Sequence, residues 1–284
     1  MKTRTKAWLV IASSLVLIGL IMFALVMTQY NWNFVELDTS KYETNTYSIT
    51  EEFNNISLNT DTADILFKVS ETGKCKVECY EEENAKHSVT VKDDTLIIQL
   101  NNKKSWYDYV GINFTCPKIT VYLPKSEYNN LSIKEDTGDI RIENISTDAL
   151  ELSTSTGDVT LSDINCKGDI NINISTGKAN LNDINCKSIT TKGSTGDIIL
   201  KNLIITEKLS IKRSTGDIKI DGSDASEIFI ETDTGDVRGS LLTDKIFATY
   251  TDTGIIDVPK TVTGGRCEIT TDTGDIILKI SDLH

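Results

Sequence analysis

Five aspartates, Asp233, Asp236, Asp252, Asp272 and Asp275, recur around three successive Thr-Gly turns late in this sequence. Carboxylates held at the spacing of stacked strands repel one another, and a hard cation with oxygen ligands, such as calcium, relieves that repulsion. Four earlier turns carry Ser155, Ser175, Ser194 and Ser214 where these have Asp233, Asp252 and Asp272. The spacing also departs from the nonapeptide pattern of calcium-binding β-rolls. Solvated carboxylates that accept from nearby backbone N–H groups explain the residues without an ion. No cofactor is expected, and the five aspartates stand as the calcium candidate.

Six cysteines, Cys75, Cys79, Cys116, Cys166, Cys186 and Cys267, come next. Cys75 and Cys79 are too far apart to bridge along one extended strand. Cys166 and Cys186 share the place in "DINCK" and would stack as neighbours, where parallel side chains seldom reach the disulfide dihedral. Core thiols are expected. Zinc is not, because short paired spacings and a neighbouring histidine are missing; the two histidines are His87 and His284. Arg141, Arg213, Arg238 and Arg266 share no column. No nucleophile, base or phosphate loop stands out, and no enzyme is expected.

What positions these residues is a repeat. The turn glycines are Gly138, Gly157, Gly177, Gly196, Gly216, Gly235, Gly254 and Gly274, spaced 19 or 20 apart. Such regularity means one small unit stacked on copies of itself. Seven and five residues before each glycine, and two and four after it, the residues are mainly aliphatic, with polar residues between. That is period-two alternation, the mark of half-buried strands. A further aliphatic column, seven after the glycine (Ile145, Ile164, Ile184, Leu203, Leu242), implies a third wall. The fold class is all-β: a parallel β-solenoid of about eight 19–20-residue coils. Glycine supplies the change of phase at each corner. By the same parity the threonine before it points inward and bonds to backbone or to the next coil's threonine.

Upstream, "ISLNTDTADILF" repeats the pattern with Ala63 in the glycine's place, and Asp93-Asp94 reads as the turn of an antiparallel hairpin. Residues 47–128 are read as a β-rich N-terminal cap and 129–284 as the solenoid. The sequence ends just after the last repeat, which leaves that coil as an uncovered edge.

The N-terminus sets location. Residues 1–6 contain Lys2, Arg4 and Lys6, and residues 7–27 contain no charge. As a helix those 21 residues span about 32 Å, enough for a hydrocarbon core. The positive flank predicts a cytoplasmic N-terminus and a single-pass anchor in the cell membrane, with the rest extracytoplasmic. Residues 28–46 are read as a tether. A formal net charge of −13 argues against a nucleic-acid partner.

The anchor, the β-rich lead-in and the repeated "STGDI" and "DTGDI" units resemble a bacterial domain-of-unknown-function family whose members carry the name "putative adhesin". The resemblance covers roughly residues 47–284. It implies a membrane-anchored binding or structural module with no catalytic residues. An adhesion or cell-envelope interaction protein is the leading expectation, with a surface ligand or a membrane protein as partner. Its contact surfaces would be the exposed columns, the 101–114 loop and the last coil. An accessory part of envelope-stress signalling is the alternative, and a polysaccharide-active enzyme ranks third.

Overall fold

The structure, a computed structural model, describes residues 3–33, 41–102 and 115–281. Helix α1 (Thr3–Gln29) contains a stretch, Trp8–Gln29, long and apolar enough to cross a membrane. The N-terminal strands are β1 (Tyr42–Ile49), β2 (Asn55–Asn59), β3 (Asp64–Val69), β4 (Cys75–Glu82), β5 (Ala85–Lys92), β6 (Thr95–Asn102) and β7 (Lys118–Leu123). The repeats supply β8 (Glu127–Thr137), β9 (Ile140–Thr156), β10 (Val159–Cys166), β11 (Asp169–Thr176), β12 (Ala179–Thr195) and β13 (Ile198–Thr215). They end with β14 (Ile218–Thr234), β15 (Val237–Leu241), β16 (Lys245–Thr253), β17 (Ile256–Asp257), β18 (Gly265–Thr273) and β19 (Ile276–Ile280).

Equivalent residues lie directly over one another. Val159 faces Ile140 on one side and Ala179 on the other, and Leu161 likewise faces Ile142 and Leu181, all in parallel register. The chain is therefore a β-solenoid of about eight turns, its aliphatic columns merged into one continuous core. Burying each such side chain contributes roughly 1.5–3 kcal/mol, so these columns dominate the fold's stability.

Each rung has three walls. Inward residues stand seven, five and three before the glycine, two and four after it, and seven and nine after it. The third wall holds Ile145, Ile164, Ile184 and Leu203 as expected. In the Gly235 rung, however, Leu241 and not Leu242 faces Ser223, because the register slips between Ile220 and Ser223. The corner between the second and third walls is made by Asn144, Asp163, Asp183 and Asn202, with φ of 54–57°, and by Gly222. Asn and Asp are the side chains that best tolerate this left-handed region.

At the other corner all eight glycines have φ between 128° and 158°. A Cβ on Gly216 would lie 2.2 Å from the carbonyl oxygen of Gly196. The threonines beside them do not point inward: Thr137, Thr156, Thr176, Thr195, Thr215, Thr234, Thr253 and Thr273 are all exposed. The phase change begins two residues before the glycine, so the last inward residue is the one three before. There Thr271 Oγ1 donates to Gly235 O at 3.2 Å and Thr251 Oγ1 to Gly274 O at 3.0 Å, the bonds expected of the corner threonine.

Sequence order and spatial order part at both ends. β18 and β19 lie between the rung of β14 and β15 and the rung of β16 and β17. The last repeat is therefore interior, and the uncovered edge belongs to the Gly254 rung. Residues 242–244 step across two rung spacings, about 9.6 Å, which extended chain of about 3.3 Å per residue spans. Upstream, the Ala63 copy is a true rung: β2 pairs β8, and β3 pairs β9. β6 and β7 add one rung beyond it. β1 and β4 pair antiparallel, as do β5 and β6 around the Asp93-Asp94 turn. β1 starts at Tyr42, inside the stretch read as tether.

Gly216→Ala should lower the melting temperature sharply, by the equivalent of about 2 kcal/mol or more, since backbone must move to admit the methyl. Gly73→Ala, with φ of 66° and nothing within 4 Å of its would-be Cβ, should cost less. Circular dichroism melts of the two variants check this.

Candidate functional site

The motif aspartates join rungs. Asp139 Oδ1 accepts the N–H of Asp158 at 2.8 Å, and Asp158 Oδ1 that of Lys178 at 2.8 Å. Asp197 accepts from Asp217 at 3.2 Å, Asp217 from Asp236 at 2.9 Å, and Asp236 from Asp275 at 2.8 Å. Asp275 then accepts from Ile255 at 2.9 Å, and Asp64 begins the row by accepting from Asp139 at 3.1 Å. Ile255 needs no carboxylate because its rung is the outermost.

Stacked carboxylates 4.8 Å apart repel by roughly 0.9 kcal/mol in water's dielectric, while each exposed hydrogen bond contributes about 1 kcal/mol. The two nearly cancel, so cations in the row matter. Lys178 Nζ lies 3.4 Å from Asp197 Oδ2, and Arg238 Nη2 lies 2.9 Å from Asp236 Oδ2 and 2.6 Å from Asp275 Oδ2. The N–H of Asp275, then Arg238, hold the Asp236 carboxyl below the usual carboxylate range. Of the calcium candidates, Asp236 and Asp275 thus share Arg238, with Oδ1 committed to backbone. Asp233, Asp252 and Asp272 sit exposed on the outer corner.

The inward column three before the glycine carries two charged residues. Glu135 is 1% exposed, its carboxyl group is approached by the Ala63 backbone N–H and the Thr154 hydroxyl with neither bond well formed, and burial pushes its pKa up to about 8. Arg213, also 1% exposed, donates from Nη1 to Ile174 O at 2.8 Å through the space left by Gly193, and burial lowers its pKa. All six cysteines are free thiols. Five are buried, and burial lifts Cys186 and Cys267 to about 12.

The uncovered rung carries the apolar surface. Among the described residues beyond 33, the exposed large apolar residues are Val69, Tyr80, Ile204, Ile246, Tyr250, Ile255, Ile256 and Val262; five of these eight lie between 246 and 262. A mainly apolar groove of about 670 Å³ runs beside this rung, lined by Ile204, Ile205, Ala225, Leu242 and Gly264. The buried Lys245 forms its polar floor, 2.5 Å from both Asp224 Oδ1 and Thr243 Oγ1. Of the 101–114 loop, residues 103–114 lie outside the described residues, as does His284.

At the opposite end, sequence reasoning missed a buried cluster. Cys79, Glu81 and His87 place one ligand atom each within 4.8 Å of the others. Their spacing in the sequence is irregular, and the antiparallel fold of the cap is what unites them.

Three-walled rungs, corner glycines and rung-joining aspartates define a parallel β-solenoid of short, regular repeats. The chain belongs to the Toastrack DUF4097 family, whose pattern matches residues 53–168 and 165–283. No curated protein matches it. Among solved structures it is similar to a "putative adhesin" from Bacteroides fragilis NCTC 9343, at 20% identity and a TM-score of 0.54, over 85% of this chain and 99% of that one. A "putative adhesin" from Parabacteroides merdae ATCC 43184 has 14% identity and a TM-score of 0.47, over 85% and 98%. A "putative lipid binding protein" from Parabacteroides distasonis ATCC 8503 has 16% identity and a TM-score of 0.38, over 87% and 98%. At these identities the likeness is one of fold.

Two predictions follow from the charges. Lys178→Asn gives Asp197 a neutral acceptor and should melt at or above the wild type. Lys178→Asp adds two repulsions and should melt below it, with salt narrowing the gap. For Glu135, a folded pKa above the unfolded one makes its contribution most favourable below about pH 4.5 and progressively worse up to about pH 8. Glu135→Gln should therefore gain melting temperature over the wild type between pH 5 and pH 8.5.

Proposed function

We propose that this chain is a membrane-anchored, extracytoplasmic binding rod that engages a cell-envelope or surface ligand through its uncovered Gly254 rung and the adjoining groove. The observation that carries the reading is the concentration, among the described residues, of exposed aliphatic and aromatic side chains on that one rung. Apolar side chains beside unpaired strand edges are a surface suited to binding. In this reading α1 is the anchor, with the basic residues Lys2, Arg4 and Lys6 on the cytoplasmic side. The same geometry favours binding over catalysis, since two of the groove's charged groups, Lys245 and Asp224, are paired with each other.

Co-sedimentation of the full-length protein, in detergent, with purified wall sacculi tests this. Ile246→Asp with Ile255→Asp should reduce the bound fraction roughly tenfold or more, since each isoleucine removed from an interface costs on the order of 1 kcal/mol. Val69→Asp, at the other end of the rod, should leave it unchanged. Equal binding by the rung variant overturns the assignment of the surface. A stoichiometric membrane protein that co-purifies, with no binding to sacculi, replaces adhesion by the signalling role.

A further inference from the structure

The N-terminal cap buries an unusual trio. Cys79 and Glu81 lie two residues apart on the inner face of β4, and His87 stands on β5 just beyond the turn that joins the two strands. They are 0%, 1% and 4% exposed. His87 Nδ1 is 2.7 Å from Glu81 Oε2, which also accepts the backbone N–H of His87 at 2.6 Å. Two of the three potential ligands, His87 and Glu81, are fixed from behind. Thr60 Oγ1 holds the other ring nitrogen, Nε2, at 2.8 Å, and Asn45 Nδ2 donates to the other carboxylate oxygen, Oε1, at 2.8 Å. Tyr47 donates to the carbonyl oxygen of His87 at 3.0 Å. Four separate parts of the cap (β1, the β2–β3 turn, β4 and β5) thus converge on one point.

We propose that Cys79, Glu81 and His87 form a site for a borderline-soft divalent transition ion of the zinc type. Sulfur, oxygen and imidazole nitrogen make a donor set such an ion prefers to calcium or magnesium. The partners behind the ligands match what metal centres use: a ring held through its distal nitrogen and a carboxylate held through its free oxygen. Tetrahedral bonds of about 2.0–2.1 Å place nitrogen and oxygen donors about 3.3 Å apart, so Nδ1 and Oε2 need to separate by only about 0.6 Å. The ion binds the thiolate of Cys79, whose proton leaves as the dication enters. The three donors leave a fourth coordination position. This site is remote in the fold from the proposed ligand surface and does not depend on it.

Full-length protein in detergent, stripped with a chelator and desalted, is loaded with zinc and separately with cobalt. Elemental analysis should find one zinc per chain, and the cobalt form should show a near-ultraviolet thiolate-to-cobalt charge-transfer band. Cys79→Ser should abolish that band, while Cys116→Ser, at the exposed cysteine, should leave it intact. The zinc form should melt higher than the stripped form, by an amount that grows with free zinc. The wild-type spectrum needs no variant to fold: no thiolate band and less than 0.1 zinc per chain overturn the proposal. A band that survives Cys79→Ser but not Cys116→Ser overturns it too.

Discussion

At every TGD corner one rung's backbone passes so close to the next that a single methyl group would strike a carbonyl oxygen. This contact is what lets the parallel ladders run uninterrupted around the corner, and the aliphatic columns on the three walls close-pack only because the ladders do. Glycine permits the approach; the aspartate after it adds an acceptor for the neighbouring rung's N–H. The second residue refines a geometry that the first makes possible. Its contribution of about 1 kcal/mol per bond is nearly cancelled by repulsion along the row, whereas the buried columns contribute more at each position.

That balance explains where the charges fall. Lys178 interrupts the carboxylate row near its middle and Arg238 neutralises it near its end, on two aspartates at once. Ile255 occupies the one corner with no rung above it, where a carboxylate would have found no amide to accept. Inside the tube the order is less even. Glu135 and Arg213 occupy one inward column but stand four rungs apart, too distant to neutralise one another, and their neighbours offer little compensation.

The walls were legible because alternation of Ile and Leu with polar residues survives eight repetitions, and because the first upstream copy keeps Ile56, Leu58, Ile65 and Phe67 at the same offsets. The corner threonine was misplaced by carrying strict alternation up to the glycine, when the chain leaves it two residues sooner. The second corner was written openly in Asn144, Asp163, Asp183, Asn202 and Gly222, a constant offset filled by the residues that tolerate positive φ. Rung order was not legible at all. When every rung presents the same aliphatic columns, any rung fits any other, and pairing is decided by the length of the connections. The cluster of Cys79, Glu81 and His87 was hidden for a different reason: its members belong to no repeat, and only the antiparallel cap brings them face to face.

The interleaved end has a mechanical meaning. An outermost rung at the end of a simple coil hangs by one covalent connection and peels like the last turn of a spring. The Gly254 rung is instead a closed loop, with Leu241 of one inner rung leading into it and Gly265 of another leading out. Tension applied to that rung therefore loads two strands in parallel and draws on the ladders of both inner rungs before the tip can unravel.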